Sequence, residues 1–366
     1  MNTQVQSRLA KLRLRMVDTG VDLIALGPGA HMQWLLGFHP HADERPCLLL
    51  IGLETQTMLM PILNAAGTRV DTDISFHTWS DADGPVAALS AAIAEIGARN
   101  AKLVGLDESM RTDFSFLLLD ALPDASHTYV ADTVGLLRMC KDETEYQLLK
   151  SNALINDEVM KTAFAALKPG KTERQIADVV KSSFAAHGAS TEFTIVGSGP
   201  HGAFPHHSFS DRVLENGDAL VLDIGGRRDG YPSDMTRMAI IGDGPTDYAK
   251  VHDIVERSLQ AGIAAARIGA LSGDVDKAAR AVIEEAGYGE FFTSRTGHGL
   301  GIEIHEPPYM VAGSRTVLEA GMVFSIEPGI YMPGRFGVRL EEIVILRENG
   351  PEIFSELERR VFVVSG

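Results

Sequence analysis

Five side chains that can hold a metal ion, Asp223, Asp234, His298, Glu327 and Glu341, each stand in or beside an apolar run. Val221-Leu222-Asp223-Ile224-Gly225-Gly226 closes a run from Ala219 to Ile224 that reads as a buried strand with its carboxylate at the end. Glu327 stands alike in Met322-Val323-Phe324-Ser325-Ile326-Glu327-Pro328-Gly329. Asp234 leads into Met238-Ala239-Ile240-Ile241, and Glu341 precedes Ile343-Val344-Ile345-Leu346, two further strand patterns. A core that collected four carboxylates without counter-ions would be heavily penalised. The chain must therefore gather them around cations or keep them apart. Bridging oxygens with one imidazole suit two divalent ions; the set admits Mn, Co or Fe and tolerates Zn.

The spacing repeats. Gly217 precedes Asp223, and Gly321 precedes Glu327, by the same six positions. Each carboxylate is followed by a glycine-containing turn and then by a second carboxylate, Asp234 or Glu341, opening a strand. Upstream, helical patterns at roughly 143–167 and 246–267 each precede a second helix. Thr172-Glu173-Arg174-Gln175 carries a capping box and opens a helix to about Gly188; Ile268 to Ser272 opens the other, to about Gly287. Two helices followed by strands, twice over, predict related halves about a pseudo-twofold axis, each giving a carboxylate pair to one site.

The N-terminal part alternates differently. An amphipathic opening to about Gly20 precedes apolar runs at Val21–Leu26, Cys47–Ile51 and Thr57–Leu63, a helix near Pro85–Gly97, then Leu103–Leu106. This is an α/β pattern. The break at Met139-Cys140-Lys141-Asp142-Glu143 predicts two domains, 1–135 and 136–366. The net charge of −16 argues against nucleic acid and anionic membrane as partners. Two cysteines, Cys47 and Cys140, give no disulfide framework. No apolar run is long enough to span a bilayer, and the amino terminus lacks a signal-peptide layout; the expectation is a cytoplasmic protein.

From about Glu143 onward the chain resembles the pita-bread metallopeptidases, the family of methionine aminopeptidase, aminopeptidase P and prolidase. The matching motifs are Leu222-Asp223-Ile224-Gly225, Gly230-Tyr231-Pro232-Ser233-Asp234-Met235-Thr236-Arg237, Gly297-His298-Gly299-Leu300-Gly301, His305-Glu306-Pro307-Pro308, Ile326-Glu327-Pro328-Gly329 and Val338-Arg339-Leu340-Glu341-Glu342, in that order. The N-terminal third is similar to the creatinase-like domain of prolidase and aminopeptidase P. The implied fold class is α/β (α+β): a creatinase-like α/β domain followed by a pita-bread domain with its pseudo-twofold repeat.

The resemblance implies two metal ions, manganese favoured, with Asp234 and Glu341 contacting both. Asp223 would complete one shell, and His298 with Glu327 the other. It also implies that Glu327 serves as general base toward a bridging, metal-activated water. His206 and His305 would touch substrate, oxyanion or leaving nitrogen. His207 rivals His206, and spacing does not separate them; His305, seven positions after His298, needs a bend to share its cleft. Arg339 is expected to orient Glu341. His31, His77, His127, His187, His201 and His252 take the plain reading of surface or hydrogen-bonded core residues.

The leading function is an exopeptidase hydrolysing the bond before proline, an Xaa-Pro dipeptidase or else an Xaa-Pro aminopeptidase, with small peptides as substrate. The alternatives are a relative acting on a non-peptide small molecule, as a lyase or amidohydrolase, and a non-enzymatic binding protein of the same fold. Prolidase-like proteins are homodimers, so the loop Trp34-Leu35-Leu36-Gly37-Phe38-His39-Pro40-His41 is a candidate to reach a partner's site. There His39, His41 or Arg45 would bind a dipeptide carboxylate.

Overall fold

A computed structural model describes residues 3–68 and 74–365, and the chain divides into two compact units, Met1–Arg138 and Met139–Gly366. The first unit runs α1 (Thr3–Thr19), β1 (Leu23–Leu26), α2 (Ala30–Leu36), β2 (Leu48–Gly52), β3 (Gln56–Pro61), α3 (Ile62–Thr68), β4 (Ser75–Trp79), α4 (Val86–Glu95), β5 (Leu103–Leu106), α5 (Thr112–Asp120) and β6 (Ser126–Tyr129), after which α6 (Val134–Met139) leads into the second unit. Its mixed six-stranded sheet has the order β4-β3-β2-β1-β5-β6. All five residues of β2 are buried, as a central strand covered on both faces requires. Val5, Leu9, Leu12 and Met16 recur at helical spacing and form the buried stripe of α1.

Two expectations for this unit need correction. The run Thr57–Leu63 is not one strand: β3 stops at Pro61, and Ile62 and Leu63 open α3 with 59 % and 60 % exposure. Nor is Trp34–His41 wholly a loop. Trp34, Leu35 and Leu36 are buried in α2, and Gly37, at φ 81°, closes that helix in the left-handed conformation with its amide on the Gln33 carbonyl. Arg45 is engaged locally, its Nε 2.9 Å from Asp81 Oδ1 and its Nη1 2.8 Å from Glu44 Oε1.

The second unit holds the repeat. Its first half contains α7 (Glu143–Ala166), α8 (Glu173–Ala186), β7 (Ser190–Ser198), β8 (Ala219–Arg228), β9 (Tyr231–Pro232) and β10 (Met235–Ile241). Its second half contains α9 (Tyr248–Ala265), α10 (Ser272–Glu285), β11 (Gly297–Gly299), β12 (Glu306–Met310), β13 (Val323–Ile326), β14 (Gly329–Met332), β15 (Phe336–Arg339), β16 (Glu342–Arg347), β17 (Gly350–Ile353) and β18 (Phe362–Val364). One sheet orders β18-β10-β8-β7, a second β12-β11-β13-β16-β17, and β14 pairs with β15. The halves repeat in detail. Isolated bridges pair Thr172 with Val213 and Leu271 with Val317, so the residue preceding α8 and the residue preceding α10 are tied down alike.

Local chemistry explains the frame. Asp142 and Glu145 form a reciprocal capping box on α7, and Thr172 and Gln175 do so on α8. Leu220, Leu222 and Ile224 of β8 join Val159, Met160, Phe164, Ile176, Val180 and Phe184 of the two helices in one core. Alternation then turns Asp223 to the opposite face of the strand. Asp229 (φ 51°) and Gly230 (φ 84°) form a two-residue turn that pairs Arg228 with Tyr231, so β8 folds back and delivers Asp234 to the same region. Among the described residues no helix is long and apolar enough to cross a membrane.

Candidate active site

The five predicted donors line one cleft of about 570 Å³, together with His206, His305, Tyr331 and Arg339. Asp223 does not end its strand as the sequence suggested. Strand β8 runs on to Arg228, and Asp223 sits mid-strand opposite Thr236. Asp234 directly precedes β10, Glu327 directly follows β13, and Glu341 lies between β15 and β16. His298 occupies the middle of β11. A Cβ on Gly297 would stand 2.0 Å from the Ser325 carbonyl oxygen, and one on Gly299 would stand 2.3 Å from that of Pro307. Only glycine therefore lets these strands close around the histidine.

Hydrogen bonds set the donor atoms. His298 Nδ1 donates to the Gly299 carbonyl at 3.0 Å, which leaves Nε2 as the ring nitrogen turned to the carboxylates. That Nε2 lies 3.1 Å from Glu327 Oε1 and 3.6 Å from Asp234 Oδ2. The Ser325 hydroxyl donates to Glu327 Oε1 at 3.0 Å while accepting the His298 amide at 2.9 Å. Thr236 Oγ1 donates to Glu341 Oε2 at 2.9 Å and accepts Arg339 Nε at 3.0 Å. Donor atoms of Asp234, His298 and Glu341 all lie within 4.8 Å of one another.

Arg339 is placed differently from expectation. Its Nη2 meets Asp223 Oδ2 at 2.5 Å, its Nη1 meets the Tyr331 hydroxyl at 2.8 Å, and it reaches Glu341 only through Thr236. The offset of two between Arg339 and Glu341 suggested direct contact; the guanidinium instead turns onto Asp223 of β8. The His206/His207 ambiguity is also resolved in position. His206 lines the cleft, whereas His207 Nε2 bonds Glu173 Oε2 at 2.9 Å. The bend required for His305 exists, because a register shift follows His298 in the β11–β12 pairing. The two rings meet edge to face at 4.2 Å.

The electrostatics call for cations. Four carboxylates face one guanidinium here. Burial first, then the neighbouring acids, push Asp234 and Glu341 well above the usual carboxylate range; burial with the Glu327 charge outweighs Arg339 and raises Asp223 as well. Burial would also raise Glu327, but the hydrogen bond from His298 and the Arg339 charge override it and leave it low. Asp223 Oδ1 and Glu341 Oε1 are buried with no hydrogen-bond partner. Orphaned hard oxygens beside an aimed imidazole fit divalent metal ions. Burial, with the His298 and Arg295 charges, brings His305 down to about 4, so it is neutral at neutral pH.

Several supporting residues escaped the sequence reading. Glu173 stands out in the sequence only as part of a capping box, Thr236 and Ser325 only as neighbours in motifs, and Tyr331 not at all. Arg237, fully buried, holds the Glu341 carbonyl at 2.6 Å and Glu342 Oε1 at 2.8 Å. Lys141 Nζ pairs with Glu306 Oε1 at 2.6 Å, both buried, which ties the start of this unit to the residue after His305. Seeing one arginine in place of solvent-facing charge needs the fold, because these partners are remote in sequence.

This chain belongs to Metallopeptidase family M24, whose pattern it matches over residues 147–348, with a Creatinase/Prolidase N-terminal domain over 8–140. It is a metal-dependent peptidase with a pita-bread catalytic domain. It is 38 % identical over 364 residues to the Mycobacterium tuberculosis protein named "Probable dipeptidase PepE", covering 98 % of this chain and 96 % of that one. Xaa-Pro dipeptidase of Lactobacillus delbrueckii subsp. lactis is 30 % identical over 366 residues, covering 97 % and 98 %. The crystal structure of dipeptidase PepE from Mycobacterium ulcerans superposes with a TM-score of 0.94 at 36 % identity, over 99 % of this chain and 98 % of that one.

Proposed function

We propose that this protein is an Xaa-Pro dipeptidase working with two divalent ions, manganese in the first instance. The observation that carries the reading is the convergence of Asp223, Asp234, His298, Glu327 and Glu341 with His206 and His305 in one cleft. The likeness to proteins named dipeptidase and Xaa-Pro dipeptidase supports the substrate class. Asp234 and Glu341 would contact both ions, Asp223 one, and His298 with Glu327 the other. Bound there, the ions supply Lewis acidity that activates a solvent molecule and polarises the scissile carbonyl.

The protein's own groups do the rest. Glu327, kept ionised and oriented by Ser325, accepts the proton of the attacking solvent molecule at Oε1 or Oε2. His305, neutral and held against His298, donates a hydrogen bond to the developing oxyanion or the leaving nitrogen, with His206 on the same cleft wall. Arg339 fixes Asp223, and through Thr236 also Glu341, so that neither carboxylate swings. Phe193, Ile195, Phe209 and Tyr331 give the cleft an apolar lining that suits a pyrrolidine ring.

The proposal extends to a homodimeric, cytoplasmic enzyme without nucleic-acid or membrane partners, with domains at 1–135 and 136–366. Its test is a panel on manganese-loaded protein: Xaa-Pro dipeptides, Xaa-Pro-Yaa tripeptides and peptides without proline. Cleavage confined to dipeptides is expected. Tripeptide cleavage would make it an Xaa-Pro aminopeptidase, and silence on all peptides would overturn the peptidase specificity in favour of a non-peptide substrate or a binding role.

A further inference from the structure

Glu173 is a fully buried carboxylate that the mechanism above does not use. It stands in the first turn of α8, and both its oxygens are saturated. Oε1 accepts the Ser198 amide at 2.8 Å, the Ser198 hydroxyl at 2.7 Å and His201 Nδ1 at 3.0 Å. Oε2 accepts His207 Nε2 at 2.9 Å, the Ser210 amide at 2.8 Å and the Ser210 hydroxyl at 2.7 Å. Burial works to raise Glu173, and these bonds, led by His207, outweigh it and bring it to about 2.

The donors are arranged with a purpose visible in the chain order. Ser198 and His201 lie where the chain leaves β7; His207 and Ser210 lie where it returns. Between them Phe204-Pro205-His206 forms the tip, and Pro205 and His206 line the catalytic cleft. The Pro205 carbonyl accepts Arg339 Nη1 at 3.3 Å, so the tip also touches the residue that fixes Asp223. One carboxylate therefore ties the two feet of the loop, a different oxygen for each foot.

Donor atoms of Glu173, His201 and His207 also lie close enough together to hold an ion. The contrast with the catalytic carboxylates decides against that use. Asp223 and Glu341 each leave a buried oxygen without a partner, whereas each Glu173 oxygen already takes three hydrogen bonds. A satisfied buried network of this kind rigidifies what it holds.

We propose that Glu173 is a positioning residue that sets the Pro205–His206 tip over the cleft and acts on the reaction through His206. The inference rests on the reading of His206 as a group that touches substrate. A double-mutant cycle tests it on the full-length, manganese-loaded protein, with Ala-Pro as substrate and with metal content and Tm recorded for every variant. His206→Ala is expected to lower kcat/KM by about 100-fold, in the range of a lost proton-handling side chain. Glu173→Gln, which turns one acceptor oxygen into a donor, is expected to lower it by about 10-fold, mainly in kcat, since small misplacements cost rate.

The decisive quantity is the coupling: the double variant should be no slower than His206→Ala alone. Losses that multiply would show that Glu173 acts elsewhere, and would overturn the proposal while leaving the role of His206 intact. A silent His206→Ala would overturn both. Should Glu173→Gln fail to fold, Ser210→Ala and His207→Gln loosen the returning foot alone. Each must then show the same coupling to His206, and additivity in both would equally end the proposal.

Discussion

In the first half of the catalytic unit, the histidine-bearing segment is a loop whose two feet hang from one acid, Glu173, on α8. In the second half the segment that leads into the strand histidine His298 hangs from Asp276 on α10. Asp276 Oδ1 accepts the Thr296 hydroxyl at 2.7 Å, and its partner Arg280 donates to the Phe292 and Ser294 carbonyls, both at 2.9 Å. The chain then enters β11 and presents His298. Both halves thus use a buried helix-borne carboxylate to pin the approach to a histidine, but the first presents it at a loop tip and the second inside a strand. A metal ligand, the role proposed for His298, needs an invariant donor position, which a strand closed by Gly297 and Gly299 supplies. A group that meets substrate must be placed yet reachable, which suits a tethered loop.

If the halves contribute equally to the metal pair, breaking either must be disabling. Asp234→Ala in the first half and Glu327→Ala in the second should each lower kcat/KM by at least about 10³-fold with folding intact, as judged by circular dichroism and metal content. Substantial turnover by either purified, metal-loaded variant would refute the shared site. A smaller effect is expected at the pins. Asp276→Asn removes a carboxylate that is buried while its partner Arg280 is 23 % exposed, so the loss should be about 2 kcal/mol of stability, below the cost of breaking a fully buried pair. Thermal or urea melts read this directly.

The sign reverses in the metal-free protein. Because burial and neighbouring acids raise Asp234, its charged form opposes folding near neutral pH when no cation is bound. Asp234→Asn should therefore raise the Tm of chelator-treated protein by roughly 2–4 °C while shrinking the rise on adding manganese. A fall in the apoprotein Tm would contradict the repulsion argument. The smallest effect concerns acid. Glu173 is lowered to about 2, so its contribution is present above the ordinary glutamate range and is lost as pH falls toward 2. The Tm advantage of wild type over Glu173→Gln should shrink between about pH 4.5 and about pH 2. A constant difference would show that ionisation of Glu173 is not what stabilises the loop.

Much of this could be read before the fold was known. The helices expected at 143–167 and 246–267 are α7, which starts where expected and ends one residue earlier, and α9, two residues shorter at each end, because capping and apolar spacing act over a few residues. The pseudo-twofold repeat and the donor set were legible for the same reason. In the first unit α2, β4, α5 and β6 were not read: the helices, of 7 and 9 residues, have no side-chain cap to mark their starts, and the short strand Ser126–Tyr129 is exposed throughout. At the site, Asp223 was assigned to a strand end because its run is broken by Gly225 and Gly226. Those glycines continue the strand, where a Cβ on Gly225 would meet Phe193 at 2.3 Å and one on Gly226 would meet Phe184 at 2.3 Å.

By itself the amino-acid sequence determined the four long helices of the catalytic unit and several of its strands, where they repeat, and which side chains bear metal-binding chemistry. These follow from periodicity, turn residues and donor type, all of which act locally. Only the tertiary structure decided that His206 rather than His207 faces the cleft, that Arg339 grips Asp223, and that Glu173 gathers Ser198, His201, His207 and Ser210. Those outcomes depend on hydrogen bonds between residues 25 to 116 positions apart. Their direction is set by which face each strand turns inward, a choice made when the sheets and helices pack together.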